Sequence, residues 1–569
     1  MHHWPCASLL ILARSTNGRR CGRLFVLNEI KGLRGADANS GCISIRKLVR
    51  PESLVAALVT SFTEDVEWVL SVIPPTIPIT LVRHWEEPDR EGEVRISRNI
   101  RVIHPPLALP GFGGGQAMRA KMHAKLMLLR YRDNTLRVVV TSANLAQPDY
   151  ELVGQTVWYQ DFPKKQQKSS GQQPASPFEE TLTQFLVALK ADEGFLREYD
   201  FSKAAADLVV SVPGFHRGKH KMDAVGHTRL RALLRDFQWP PADELRDDNI
   251  YYQTSSLGAL YESFVSEFKE SASSGVFASS SSARTTTTTT TTATSSTTTS
   301  TSRSSAPAKR KRDESEPAWP VSASGRSTNK RPRTAEADTA SHRKGKKKEN
   351  ESEHDGDEGD FVEEKGTKSK NKASSSATRG KKGVAAPATA TSATTARRPE
   401  LSLAILYPSM DAVRSARPEY RVGAGYLFLQ EKHWSAKSFP RALFHDIWPS
   451  SHRPARHGIL LHSKVVCRLA THRSGRRYGW VYAGSHNLSA KGGTQLFISN
   501  FEIGVVLKHP YQGAQAGDEG ADDDDDDVVV VLPAGPEWER NLPFMVPPPA
   551  YTDDSEPFIG DKYFSGAGH

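Results

Sequence analysis

Four cysteines in 569 residues are too few, and too scattered, to organise a fold. Cys6, Cys21, Cys42 and Cys467 have neither the paired spacing of a zinc site nor a disulfide framework, which excludes a stapled secreted domain and points to a reducing compartment. Long apolar runs are missing too. None approaches the roughly 18 residues of a membrane span, and Ser8 to Leu12 (SLLIL) is too short and poorly flanked for a signal peptide. A soluble protein with no membrane attachment is expected, and a hydrophobic content of 37% suffices for a sizeable core in part of the chain.

Excess basic charge is absent from most of the chain as well, despite a net charge of +10. Residues 271 to 398 hold 24 of the 75 Lys and Arg and 14 of the 65 Asp and Glu, leaving 51 of each elsewhere. The overall pI of about 9.2 therefore does not describe a broad basic surface on the folded part. The acidic run Asp518 to Asp527 contributes eight negative charges, so the structured part around it is mildly basic, as suits a local groove.

What is present alternates strands with helices. Residues 1–23 match no interpretable pattern, and a first unit spans 24–203. In it FTEDVEWVLSVI (Phe62 to Ile73) reads as a helix capped by Thr63, with Glu64, Asp65 and Glu67 at its positive end. ITLVRHW, IRVIHP, KLMLLRY, LRVVV and QTVWY read as strands. A second unit over 204–569 repeats the plan, with strands at LVVSVPGF, NIYYQTS, LAILYPS, GYLFLQ, SKVVCRL, YGWVYAG and FEIGVVL and helices at HTRLRALLRDF and ALYESFVSEFKE. Both read as covered α/β sheets. The Ser/Thr/Ala/Lys-rich stretch 271–398 interrupts the second unit; it buries too little apolar surface to offset its ordering entropy and is expected to be a disordered insert.

One pattern occurs in both units. His123-Ala124-Lys125 precedes Ser142-Ala143-Asn144-Leu145, and His462-Ser463-Lys464 precedes Ser485-His486-Asn487-Leu488, with two strand-like runs between the halves of each set. If both sets meet, an anion between them faces two imidazoles, two ammonium groups and two amides. That is a phosphodiester site: the lysines neutralise the non-bridging oxygens without a metal, and the histidines divide the roles of nucleophile and proton donor. His342-Arg343-Lys344 has the same spacing, but it lies in the insert with no strand or Ser-x-Asn after it.

This duplicated pattern resembles the phospholipase D superfamily, and within it the tyrosyl-DNA phosphodiesterase branch. Most of the superfamily carries an Asp five positions after each Lys; here Arg130 and Leu469 stand there, as in the tyrosyl-DNA branch, which uses the later Asn. Gln155 in VGQTVW, Glu502 in NFEIGVV, and the segments Asn39 to Val49, Glu64 to Leu70, Thr254 to Leu260 and Leu403 to Ser409 also match. Two departures concern the rim. Met118-Arg119-Ala120 replaces a DNA-stacking aromatic residue before the first motif, and the stretch from Asn487 to Thr494 is short and lacks an aromatic.

The resemblance implies two similar phospholipase D-like α-β-α sandwich lobes related by a pseudo-twofold axis. It implies that His123 attacks phosphorus at a DNA 3′ end to form a phosphohistidine, and that His462 protonates the departing tyrosine and then activates water. Lys125, Lys464, Asn144 and Asn487 would hold the phosphate oxygens, Gln155 and Glu502 would each support the histidine of the opposite half, and Ser255 and Ser256 would contact the DNA backbone. No cofactor or metal is expected. The implied partners are adduct-bearing 3′ ends of single-stranded or nicked DNA, met by a monomer. The basic clusters Lys309 to Arg312, Lys330 to Arg333 and Arg343 to Lys348 suggest nuclear import and a nuclear location. The competing readings are another enzyme of the superfamily, acting on lipids or as a general nuclease, and a non-catalytic DNA-end or chromatin-binding protein.

Overall fold

The computed structural model describes residues 25–35, 37–87, 90–109, 118–165, 174–279, 399–488, 496–513 and 535–565. The three basic clusters and the acidic run lie outside them. No helix among the described residues is long and apolar enough to cross a membrane.

Two mixed sheets carry the architecture. The first contains β1 (Phe25–Leu27), β2 (Leu54–Ser61), β3 (Ile79–Arg83), β4 (Gly92–Arg95), β5 (Ile100–His104), β6 (Leu126–Tyr131), β7 (Thr135–Thr141) and β8 (Thr156–Pro163), in the order β1-β8-β7-β6-β2-β3-β5-β4. The second contains β9 (Asp207–Ser211), β10 (Leu245–Gln253), β11 (Ser402–Leu406), β12 (Phe444–His445), β13 (Val465–His472), β14 (Arg477–Gly484) and β15 (Asn500–His509), in the order β9-β15-β14-β13-β10-β11-β12. The path β1-β8-β7-β6-β2-β3-β5 thus has a counterpart strand for strand. Pairing senses match as well: the first four contacts of each path are antiparallel and the next two parallel. The duplication read in the motifs is a duplication of topology.

Alternation along β7 shows how the sheets are covered. Leu136, Val138 and Val140 enter a core shared with Phe185 of α2 (Pro177–Ala188) and with Val210, Ile503 and Val505 of β9 and β15. Val139 faces the opposite side, among Val69 of α1 (Val66–Val72), Val59 and Leu129. In the second sheet, Ile250 and Tyr252 pack beneath α3 (Gly226–Leu234) and α4 (Glu262–Ala272) with Leu230, Phe264 and Phe268. The two sheets therefore share apolar packing as well as a topology.

Three expectations are corrected. The α1 cap is Asp65, whose carboxylate accepts from the Trp68 amide at 3.0 Å, while the Thr63 carbonyl is engaged by Ser61 and Leu145. GYLFLQ gives only the short strand Phe428–Leu429, preceded by a 3-10 stretch, Pro418–Tyr426. Ordered structure also continues past 271: Ser271 and Ala272 close α4 fully buried, and Val276–Phe277 pairs with Gln238–Trp239. The rest of the expected insert, 280–398, lies outside the described residues.

A buried ion pair locks the second sheet. Asp248 of β10 receives Arg468 Nε at 2.8 Å and Nη2 at 2.7 Å, both side chains wholly inaccessible, and the guanidinium lies 3.7 Å over the Trp239 ring. Asp248→Ala takes the carboxylate from a buried guanidinium and is expected to cost about 3–5 kcal/mol. Urea denaturation checks it; an unchanged midpoint would refute it.

Candidate active site

Each motif sits where two neighbouring antiparallel strands end on the same edge. Lys125 directly precedes β6 and Ser142 follows β7, while Lys464 precedes β13 and Ser485 follows β14. His, Lys and Asn of one set are thereby brought together by strand pairing alone. The backbone before each histidine then crosses to the other lobe. Lys121–Met122 pairs parallel with Asn500–Phe501 at the start of β15, and His123 N donates to Phe501 O at 3.0 Å. Reciprocally, His462 N donates to Gly154 O and Gly154 N to Leu460 O, both at 2.9 Å. A Cβ on Gly154 would stand 2.4 Å from Leu461 Cδ2, so a larger residue would have to displace that side chain.

Docking the chain in this way places each histidine against the supporting residue of the opposite half. His123 Nδ1 lies 2.9 Å from Glu502 Oε2, and His462 Nδ1 lies 3.4 Å from Gln155 Nε2. The lysines repeat one another: Lys125 Nζ donates to His123 O and Lys464 Nζ to His462 O, each at 2.6 Å. Asn144 is anchored through its backbone N to Asp149 Oδ1 at 2.8 Å, and its side-chain oxygen is buried without a partner. Asn487 Oδ1 accepts from Thr254 Oγ1 at 3.2 Å and Ser255 Oγ at 3.4 Å, which identifies its NH2 as the donor left for a ligand.

Ser255 is therefore placed differently from the expectation. It is fully buried and its hydroxyl is spent on Asn487, so it supports the amide; Ser256 is half-buried on a short strand beside Phe428. Just before the first motif, the exposed Arg119 guanidinium lies 4.6 Å over the Trp85 ring.

The electrostatics follow from burying four potential cations together. Burial foremost holds Lys125 down to about 8 and Lys464 well below its usual range, where Lys125 adds repulsion. A bound anion would supply what both lack. Burial likewise holds His123 down to about 4, against the pull of Glu502, while His462 falls well below the usual range through burial and both lysines. Glu502 is pushed up by burial, but His123, His486 and Lys125 together draw it down, to about 2. The state consistent with both partners is an ionised Glu502 facing a neutral His123, whose Nδ1–H donates to the carboxylate and whose Nε2 carries the lone pair.

Several site residues were not read from the sequence. Asp149, buried in the short helix Gln147–Glu151, accepts from Asn144 N, from Gln155 Nε2 at 3.2 Å and from Tyr426 OH at 2.7 Å, and its Oδ1 is 3.5 Å from His462 Nδ1. Tyr426 lies 4.9 Å from the His462 ring, and Phe62 edges the His123 ring at 5.4 Å, giving each histidine one aromatic flank. Behind Glu502, His486 bonds Ser211 Oγ at 2.8 Å and the Tyr482 hydroxyl. Tyr482 fits because Gly504 has no Cβ, which would meet its ring at 2.1 Å. The local signal for Asp149 was an acid five positions after Asn144; nothing local marked Tyr426. Among the described residues no three His, Cys, Asp or Glu side chains are grouped to hold a metal.

The family model of tyrosyl-DNA phosphodiesterase matches residues 24–333 and 359–552. This chain belongs to the tyrosyl-DNA phosphodiesterase family. Among relatives, tyrosyl-DNA phosphodiesterase 1 of Arabidopsis thaliana is 31% identical over 257 residues, 42% of this chain and 40% of that one. A probable tyrosyl-DNA phosphodiesterase of Caenorhabditis elegans is 29% identical over 233 residues, 39% of this chain and 48% of that one. The alignments thus span less than half of each relative's length. A crystal structure of a yeast tyrosyl-DNA phosphodiesterase variant superposes with a TM-score of 0.50 at 13% identity, covering 94% of this chain and 99% of that chain, a likeness of fold. Both lobes and both His/Lys/Asn sets fall within the family match.

Proposed function

We propose that this chain is a DNA-repair hydrolase that removes tyrosine and related blocking groups from DNA 3′ ends through a phosphohistidine. The observation that carries the reading is the unequal support of two equivalent histidines. His123 faces a carboxylate, an acceptor only, which fixes its Nε2 lone pair toward the dyad. His462 faces an amide, with a second acid behind it. In the first step His123 Nε2 bonds phosphorus, the bond to the tyrosine oxygen breaks, and His462 gives its Nε2 proton to that oxygen. In the second, His462 takes a proton from water, the hydroxide oxygen bonds phosphorus, and the P–N bond breaks, leaving a DNA 3′-phosphate. Lys125, Lys464 and the amides of Asn144 and Asn487 hold the non-bridging oxygens throughout.

Because one chain supplies both halves of the dyad, the reaction requires only a monomer. Exonuclease-like removal of other 3′ groups from single-stranded or nicked DNA, and a nuclear location directed by the three basic clusters, belong to the same proposal. The test is a 5′-labelled oligonucleotide ending in 3′-phosphotyrosine, run beside phosphatidylcholine, with and without EDTA. Cleavage of the oligonucleotide alone, unaffected by EDTA, is expected. Preference for the lipid would replace the reading with a lipid phosphodiesterase, and loss of cleavage in EDTA would refute phosphate neutralisation by the lysines. Removing 280–398 should leave short-oligonucleotide cleavage unchanged within about twofold while abolishing nuclear accumulation, since both His/Lys/Asn sets lie outside that stretch. A deletion that loses DNA binding would instead favour the chromatin-tether reading.

A further inference from the structure

The proposed chemistry asks His462 to exist in two forms, a cation that gives up a proton and a neutral base that accepts one. The proton given up and taken back is the one at Nε2, so both forms keep the hydrogen at Nδ1 and call for an acceptor there. A carboxylate supplies it and favours the cation; an amide NH2 suits only the tautomer whose Nε2 is already protonated. His462 Nδ1 has one of each at nearly equal distance, Gln155 Nε2 at 3.4 Å and Asp149 Oδ1 at 3.5 Å.

The identity of the Gln155 atoms is fixed by its neighbours. Thr156 N donates to Ser142 Oγ at 3.1 Å, so the hydroxyl hydrogen of Ser142 goes to Gln155 Oε1 at 2.7 Å. The NH2 end is left to face Asp149 and His462. Asp149 is equally constrained. Only 1% exposed, it receives Asn144 N and Gln155 Nε2 at Oδ1 and the Tyr426 hydroxyl at Oδ2. Tyr426 therefore holds the oxygen that faces away from His462, and Asp149 has no freedom to turn.

Resting on the function proposed above, we infer that Asp149, held by Tyr426 and by Gln155 Nε2, is a positioning residue that accepts Nδ1–H of His462 and bears the charge of its protonated form for leaving-group departure. Burial and the lysines favour the neutral ring; a phosphodiester anion offsets the lysines and lets the ring take up the proton that Asp149 then balances. Asp149 itself is raised to about 6, by burial foremost, and the groups facing it are His462, Tyr426, Lys125 and Lys464. Its ionised form, the one that serves here, is thus the major one at neutral pH.

The test separates the two steps by leaving group. Two oligonucleotides are compared, one ending in 3′-phosphotyrosine, which needs a proton to depart, and one ending in 3′-(4-nitrophenyl phosphate), which departs as a stable anion. In Asp149→Asn the tyrosyl rate should fall by roughly 10²-fold, while the nitrophenolate burst changes by less than about threefold. Tyr426→Phe, which removes one bond at the far oxygen, should show the same selectivity at roughly 5- to 10-fold and carries the test if Asp149→Asn does not fold. The wild-type tyrosyl rate should also decline as pH falls below about 6, where Asp149 takes up a proton. Equal loss on both substrates, or no loss on the tyrosyl one, would overturn the role of Asp149 alone. A wild-type protein inert on both would overturn the proposed function instead.

Discussion

His123→Ala should lose turnover of 3′-phosphotyrosyl DNA by at least about 10³-fold and form no covalent adduct, whereas His462→Ala should trap labelled DNA on the protein. The asymmetry follows from partners rather than from the histidines, which occupy matching places before equivalent strands. Glu502 turns the His123 lone pair toward the dyad, so removing that ring removes the nucleophile and nothing else nearby replaces it: Lys125 and Lys464 are each tied to a backbone carbonyl. Without His462, departure of tyrosine slows, but His123 still bonds phosphorus, and the base that would activate water is gone. The adduct then outlives its formation. Denaturing gels of a 5′-labelled oligonucleotide separate the outcomes as product, substrate and protein-shifted bands. A shifted band with His123→Ala, or full turnover by either variant, would sink the assignment.

What the sequence conveyed depended on how far apart the cooperating residues lie. The two sets were legible because His, Lys and Asn of each stand on one strand hairpin, within about 25 residues, and strand pairing alone brings them together. Gln155 and Glu502 were legible through motif context, but their exchange between lobes joins side chains 307 and 379 residues apart in sequence, which no local period encodes. Tyr426 was obscured for a different reason. It ends a 3-10 stretch but opens the apolar run GYLFLQ, which imitates a longer strand, and it reaches Asp149 across 277 residues. The boundary at 271 failed because composition averages over a window, and the last buried turn of α4, Ser271-Ala272, has the same small residues as the stretch that follows. Thr63 and Asp65 are both competent caps two residues apart; tertiary bonds to the Thr63 carbonyl decided between them.

Glu502→Gln should reduce formation of the covalent adduct by roughly 10²- to 10⁴-fold while leaving the fold intact. The two side chains have nearly the same volume, so the reason is the proton. Asn500 Nδ2 donates to Glu502 Oε1 at 3.2 Å, and the other oxygen accepts from His123. A glutamine there keeps its oxygen toward the Asn500 donor and turns its NH2 to His123 Nδ1. That nitrogen must then carry the lone pair, the hydrogen moves to Nε2, and the attacking electron pair is lost from the side facing phosphorus. The measurement is single-turnover adduct formation in a His462→Ala background, which isolates the first step from hydrolysis. The reciprocal change sharpens the test: Gln155→Glu gives His462 an acceptor in place of a donor, which favours its cation and should slow release of the adduct more than its formation. If Glu502→Gln formed adduct at the unaltered rate, His123 would not owe its nucleophilic tautomer to Glu502, and the division of labour between two otherwise equivalent histidines would have to come from the substrate.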